Sequence, residues 1–298
     1  MPFPLRLRVV VATIVAAFAA STQPVAQSVQ RSLYVSVVDK DGKPVPDLGP
    51  ADFLVQEDRV TREVLNVGPA TDPMQIALLV DNSQASDPFI RDYREALPAF
   101  IAAMTDPEGP KNEISLIMLA DRPTIFAPYT ADRDALQKGI NRIFSMPGSA
   151  TYLLDGLIET SRGITKRNAP RPVIIAITSE GPELSDRHYE QVLTPLKDSG
   201  AACHIIVLGR PVNQEHDRAV VLDRATKETG GRWDTLLLST ALTDLMKEVA
   251  RDLKSQYKVT YARPTTLIPP ENVTVAAVRP GMTARGTVVR SEREVRKQ

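Results

Sequence analysis

The feature that most constrains the fold of this chain is the apolar run 76–80, which ends in Asp81-Asn82-Ser83. A short apolar run without polar alternation is typical of a strand that is buried on both faces of a parallel sheet. In open parallel sheets, ligands bind in the crevice at the carboxyl ends of the strands. We therefore expect Asp81 and Ser83 at that edge, where their oxygen atoms suit a hard divalent cation.

Strand patterns alternate with amphipathic helical patterns from about residue 75 to residue 254. This alternation predicts an α/β fold, in which a mostly parallel central sheet carries helices on both faces. The patterns 113–119 and 124–127 are too close for a crossover connection, so they predict an antiparallel hairpin at the sheet edge. The remaining patterns predict strands at 75–80, 172–178, 202–208 and 232–236, and helices at 88–104, 131–144, 151–164, 186–198, 214–228 and 239–254.

Two segments on either side of this region have the pattern of short strands that are broken by proline and glycine. One such segment covers residues 30–70 and the other covers residues 256–292. Because the termini of a domain often lie close together, the two segments are expected to pack into one small β-sandwich. Between them, residues 73–255 are predicted to form the α/β domain.

Residues 1–20 have the pattern of a secretory signal peptide. Arg6 and Arg8 precede an apolar stretch that is too short to span a bilayer, and Ala17-Phe18-Ala19 offers a cleavage pattern of small residues. Cys203 is the only cysteine, so no internal disulfide and no lipid-attachment cysteine are expected. A secreted or periplasmic protein is therefore predicted.

Charge and hydropathy exclude two classes of partner. Basic and acidic residues number 36 each, so the chain has no excess of positive charge for binding nucleic acid. No second apolar run reaches the length of a membrane span, so no integral membrane segment is expected.

The motif residues carry a family resemblance. The segment Asp81-Asn82-Ser83-Gln84-Ala85 and the distant Thr151, in Gly148-Ser149-Ala150-Thr151, resemble the von Willebrand factor A family. The metal-ion-dependent adhesion site of that family has the pattern Asp-x-Ser-x-Ser, then a distant Thr and a distant Asp. The overall layout also looks like the VWFA-related proteins of acidobacteria, with Asp47-Leu48 and Asp52-Phe53 early and Gln256-Tyr257 after the last helix.

This resemblance implies a Rossmann-like fold and a cation held by Asp81, Ser83 and Thr151, which an acidic side chain of a partner protein completes. Two departures weaken the site: Ala85 has no oxygen to donate, and Ser179 stands where the distal Asp is expected. Ser86 could replace the hydroxyl that is missing at position 85, and Glu180 or Glu183 could reach inward. A site with one carboxylate leaves a dication under-neutralised, so Mg²⁺ or another divalent cation is expected to bind weakly.

The sequence favours a binding protein over an enzyme. No nucleophile elbow, His-Glu-x-x-His motif or phosphate loop is present, and neighbouring Cys203 and His204 point to opposite faces of a strand. Recognition is expected at loops 81–87, 146–152 and 179–186.

Two alternatives stay open at this point. One is a hydrolase that uses Asp81 with Glu180 or Glu183 as its acid and base carboxylates. The other is a purely structural envelope protein with a decayed site, in which Asp81 and Ser83 only form hydrogen bonds within the loop.

Overall fold

The computed structural model describes residues 28–210, 216–265 and 268–289. The proposed signal peptide, residues 1–20, lies outside the described residues and stays a prediction. None of the helices among the described residues has the length and apolar character needed to cross a bilayer.

The core of the molecule is a six-stranded sheet with the strand order β10-β9-β8-β5-β6-β7. Five of its strands are parallel, and β7 pairs antiparallel with β6 at one edge, as the short connection predicts. All eight residues of β8 are buried, because helices cover both faces of the sheet. The six strands are β5 (Gln75–Val80), β6 (Glu113–Met118), β7 (Thr124–Thr130), β8 (Pro172–Ser179), β9 (Ala202–Leu208) and β10 (Trp233–Leu236).

Six helices cover this sheet, and each has one apolar face. The helices α1, α2 and α6 pack on one face, and α3, α4 and α5 pack on the other. The stripe predicted at 239–254 is an example, since Leu242, Leu245, Met246, Val249 and Leu253 are all buried. The helices are α1 (Ile90–Met104), α2 (Arg133–Asn141), α3 (Leu153–Arg167), α4 (Tyr189–Ser199), α5 (His216–Thr229) and α6 (Leu242–Lys254).

Strands from both ends of the described chain form two further antiparallel sheets. One sheet has the order β13-β1-β11-β4 and the other has the order β12-β2-β3. Their facing residues, among them Leu33, Val35, Phe53 and Val259, form a separate apolar core. The strands are β1 (Ser28–Val38), β2 (Phe53–Glu57), β3 (Val60–Arg62), β4 (Val64–Pro69), β11 (Tyr257–Pro264), β12 (Val273–Ala277) and β13 (Thr283–Val288). The predicted fold class, α/β with an added β-sandwich, is therefore confirmed.

A buried arginine joins the β-sandwich to the α/β domain. Arg171 is 2 % exposed and donates through Nη1 to the carbonyl oxygens of Ala70 (2.9 Å) and Asp72 (3.3 Å). Through Nη2 it donates to the carbonyl oxygen of Leu253 and to Oε1 of Gln256, both at 2.7 Å. These partners lie on the two segments that connect the sandwich with the domain, so one side chain holds both connections.

Candidate functional site

Asp81 lies directly after β5, at the carboxyl edge of the central sheet, and is fully buried. Its Oδ1 accepts a hydrogen bond from the backbone N–H of Ser83 at 2.9 Å. Its Oδ2 accepts from the backbone N–H (3.1 Å) and the hydroxyl (2.8 Å) of Ser179, and from the hydroxyl of Thr178 at 3.4 Å. The carboxylate is therefore stabilised by four donors, all from the ends of β5 and β8.

Ser179 stands where the family pattern places a second carboxylate, and here it takes the opposite role. Its hydroxyl donates to Asp81 and accepts from Ser86 Oγ at 3.0 Å, which in turn accepts from the hydroxyl of Tyr93 at 3.4 Å. All four residues are buried, and burial raises the pKa of Tyr93, with the charge of Asp81 as a second cause. Ser86 thus reaches Asp81 only through Ser179.

Ala85 occupies the third motif position and packs against Gly181. A Cβ atom at Gly181 would lie 2.4 Å from the Cβ atom of Ala85, closer than two carbon atoms can approach. The loop after β5 and the loop after β8 are therefore in direct contact at this point.

Ser83 and Thr151 carry the two hydroxyl groups that this cluster does not use. Both side chains are buried, at 1 % and 0 % exposure, and neither Ser83 Oγ nor Thr151 Oγ1 has a hydrogen-bond partner among the described residues. Backbone bridges join Ser83 to Met146 and Thr151 to Glu183, so the three predicted loops meet at this edge. A buried hydroxyl without a partner is costly, which indicates that a further group completes this place.

Asn82, between the two motif residues, connects the neighbouring loops by hydrogen bonds, a role that the sequence did not predict. Its Oδ1 accepts from the backbone N–H of Ala120, and its Nδ2 donates to the carbonyl oxygen of Phe144, both at 3.1 Å. Its own carbonyl oxygen accepts from the N–H of Met146 at 2.9 Å. Asn82 therefore fixes the neighbouring loops around Ser83. The position gave no sequence signal, because a loop Asn is common.

The two glutamates of the hydrolase alternative have structural partners. Glu180 forms an ion pair with the buried Arg218, at 3.5 Å. Glu183 accepts from the backbone N–H groups of Leu153 (3.1 Å), at the start of α3, and Ser185 (3.0 Å). Burial raises the pKa of Glu183 to about 7. Neither glutamate is a hydrogen-bond partner of Asp81 in the described part of the chain.

The surface around the buried cluster is apolar. Phe144, Met146 and Leu184 are 62 %, 41 % and 59 % exposed, and they lie on the same loops that carry Thr151 and Glu183. Leu237 and Leu238, directly after β10, extend this exposed set along the same edge of the sheet. Exposed apolar groups that cluster in this way are typical of interaction surfaces.

A cation here would depend on hydroxyl oxygens. Within residues 28–210, 216–265 and 268–289, no three His, Cys, Asp or Glu side chains are grouped as a metal site. The carboxylate of Asp81 and the unpartnered oxygens Ser83 Oγ and Thr151 Oγ1 are of the chemical type that a hydrated Mg²⁺ ion prefers. The predicted ligand set therefore stays a prediction, with its oxygen atoms at one edge of the sheet.

Comparison with known proteins identifies the family. Residues 76–182 match the model of the von Willebrand factor type A domain family. Residues 76–182 form a von Willebrand factor type A domain. Domains of this family are generally non-catalytic binding or adhesion modules, and relatives can bind a divalent metal. The finer resemblance to the acidobacterial proteins stays a prediction. No curated protein matches the chain.

Several solved structures are similar to this chain at low sequence identity. A von Willebrand factor type A protein from Catenulispora acidiphila is 12 % identical, with 93 % of this chain and 77 % of that chain covered and a TM-score of 0.50. Proximal thread matrix protein 1 from the mussel byssus, with a zinc-occupied MIDAS motif, is 14 % identical, with 70 % and 50 % covered and a TM-score of 0.49. The PilB minor pilin from Streptococcus sanguinis is 10 % identical, with 62 % of each chain covered and a TM-score of 0.47. The chain thus spans about half to two thirds of the mussel and pilin chains.

Proposed function

We propose that this protein is an exported binding module that recognises an acidic side chain of another protein at loops 81–87, 146–152 and 179–186. The observation that carries the proposal is the pair of buried hydroxyls, Ser83 Oγ and Thr151 Oγ1, without hydrogen-bond partners in the described chain. Both belong to the loops at the carboxyl edge of the sheet, the edge at which Asp81 supplies a buried carboxylate.

In this proposal, Asp81 Oδ1, Ser83 Oγ and Thr151 Oγ1 hold a divalent cation such as Mg²⁺. A bound cation supplies a Lewis-acidic position for the carboxylate of the partner. With one protein carboxylate among its ligands, the ion keeps most of its water and binds weakly until a second carboxylate arrives. Phe144, Met146 and Leu184 are exposed on the loops at the same edge and would add apolar contact area for the partner.

Calorimetric titration with Mg²⁺ and Mn²⁺ tests the site. We expect a weak, saturable heat and a rise in the melting temperature, both lost in Ser83→Ala and in Thr151→Val. Ser149→Ala is the matched control, because its hydroxyl lies in the same loop and already donates to the carbonyl oxygen of Met146. If wild type gives neither heat nor a thermal shift, the site is metal-free and the structural alternative is favoured.

The protein partner is tested separately. Envelope extract is passed over the immobilised chain with and without chelator, and we expect the retained proteins to be released by chelator. Equal retention in both conditions contradicts a role for the cation. Export is tested by N-terminal sequencing of the protein from the producing cells, with loss of about the first 20 residues as the expected result.

A further inference from the structure

A second surface lies away from the loops at the carboxyl edge of the sheet. It is a cleft of about 590 Å³ between the α5–β10 connection and the β-sandwich, within the size range of ligand sites. Residues from β10, β12 and β13 line it, so the cleft touches a strand from each of the three sheets. Each of these three strands is the last in its sheet, with one unpaired edge among the described strands.

The edge of β12 faces the cleft with unpaired backbone groups. The N–H of Asp58 donates to the carbonyl oxygen of Asn272, and the N–H of Val278 donates to that of Asp52, both at 2.9 Å. In this antiparallel register, the even-numbered residues of β12 bond to β2. The backbone groups of Val273, Val275 and Ala277 are therefore directed away from β2, and Val273 and Val275 line the cleft.

The other two edges are less open. On β13, a Cβ atom at Gly230 would lie 2.2 Å from the carbonyl oxygen of Gly286, so the α5–β10 connection covers the middle of that edge. Strand β10 has only four residues. The carbonyl oxygens of Arg232 and Leu236 accept hydrogen bonds from the β9 side, so only Trp233 and Thr235 direct their backbone groups away from β9. Strand β12 thus offers the longest accessible edge of the three.

The charge of the cleft indicates the chemistry of an occupant. Lys227, Arg232 and Arg285 line it, and no carboxylate does. The acidic partners of these three cations, Asp223, Asp234, Glu248 and Asp252, are not among the lining residues. Residues 1–27 and 290–298 of this chain each carry more basic than acidic residues, so by charge they do not complement the cleft.

We propose that this cleft binds an extended acidic segment of another protein, which adds as a fourth strand to the edge of β12. Backbone hydrogen bonds to Val273 and Val275 supply affinity, and the three cations select acidic side chains. Trp233, 42 % exposed at the cleft, contacts the bound segment with its ring. This binding is independent of the cation site proposed above.

Trp233 is the only tryptophan of the chain, so its fluorescence reports on the cleft directly. The probe is a capped decapeptide of alternating threonine and glutamate, titrated into the full-length protein. We expect a saturable change in emission. A peptide of alternating threonine and lysine, and the acidic peptide with N-methylated backbone amides, are each expected to bind at least tenfold more weakly. Equal binding of all three peptides, or no change with the acidic one at millimolar concentration, overturns the proposal.

Two variants with matched controls separate the backbone contribution from the charge contribution. Val273→Pro removes an outward N–H at the first residue of β12, where proline is tolerated, and is expected to weaken binding at least tenfold. Thr61→Pro is its control, at an outward position on β3, the opposite edge of the same sheet.

Lys227→Glu is expected to weaken binding of the acidic peptide three- to tenfold, whereas Lys247→Glu on α6 leaves it unchanged. Both lysines are exposed and each pairs with one aspartate of its own helix, Asp223 and Asp244 respectively. If the emission instead varies with protein concentration when no peptide is present, a second copy of the chain occupies the cleft and the proposed partner is wrong.

Discussion

The fold contains two buried charges whose surroundings differ. Asp81 lies at the carboxyl edge of the sheet, and Arg171 lies at the joint with the sandwich. Arg171 is surrounded by main-chain and amide oxygens, and both of its terminal nitrogens donate twice. Asp81 also has four donors, but two buried hydroxyls on the loops at the same edge, those of Ser83 and Thr151, have no partner among the described residues. At the joint, four hydrogen bonds from the two terminal nitrogens of Arg171 hold the fold together, although its Nε has no partner among the described residues. At the edge, two whole hydroxyl groups are without a partner, which indicates a place for a ligand.

The largest effect is expected at the joint. Replacing Arg171 by methionine keeps the apolar stem but removes the donor from four oxygen atoms, of which those of Ala70, Leu253 and Gln256 are in buried hydrogen bonds. We expect the free energy of unfolding to fall by about 3–5 kcal/mol, measured by urea denaturation. Arg187→Met is the control, since Arg187 is a half-exposed arginine paired with Asp155, and it should cost less than about 1 kcal/mol. A loss below 1 kcal/mol for Arg171→Met would remove the contrast between the two clusters.

A second, smaller effect is expected in how the free energy of unfolding depends on pH. Burial raises the pKa of Glu183 to about 7. The folded state therefore binds more protons than the unfolded state between about pH 4.5 and pH 7, and stability from this residue falls as the pH rises through that window. Relative to Glu183→Gln, the wild type should lose on the order of 3 kcal/mol between pH 4.5 and pH 7.5. Parallel curves for the two proteins would show that Glu183 is not buried as described.

For His204 the sign is opposite. This residue lies on β9 and is buried, and burial lowers its pKa to about 4. The unfolded state binds more protons between about pH 4 and pH 6.5, so stability from this residue rises with pH over that range and is lost on acidification. In His204→Leu, urea denaturation between pH 4 and pH 7 should show a weaker loss of stability on the acid side than in wild type. An unchanged acid dependence would exclude His204 as its source.

The smallest effects distinguish used from unused hydroxyls within the edge cluster. Ser86→Ala removes the hydrogen bonds to Ser179 and Tyr93 and should cost about 1 kcal/mol. Ser83→Ala removes a hydroxyl that has no partner in the described chain, so without added cation it should cost close to nothing. Thermal unfolding in the presence of chelator measures both variants. Equal losses would show that Ser83 is hydrogen-bonded in the protein.

The sequence predicted the architecture because hydrophobic periodicity reports burial directly. The runs 76–80 and 172–178 lack polar alternation, and both are central strands with helices on each side. The short spacing between 119 and 124 predicted the antiparallel edge hairpin, which β6 and β7 form. These features depend on local pattern alone, so no knowledge of distant contacts was needed.

The details of the site depend on which way side chains point after the loops close, and periodicity does not report that. Ser179 was interpreted as a missing ligand, whereas in the fold it donates to Asp81. Arg171, between two prolines, reads as a turn residue, although it is among the most buried side chains of the protein. Its partners Ala70 and Gln256 are 101 and 85 positions away in the chain, so no local signal announces them.

Because Gly181 is in contact with Ala85, the size of the side chain at position 181 determines how closely the two loops at this edge of the sheet can pack. Even a methyl group at 181 would force the two loops apart, since its carbon atom would lie 2.4 Å from that of Ala85. Such a displacement would admit water to Ser86, Ser179 and Asp81 together. A single substitution, Gly181→Ala, is therefore the smallest change that would open this edge of the sheet.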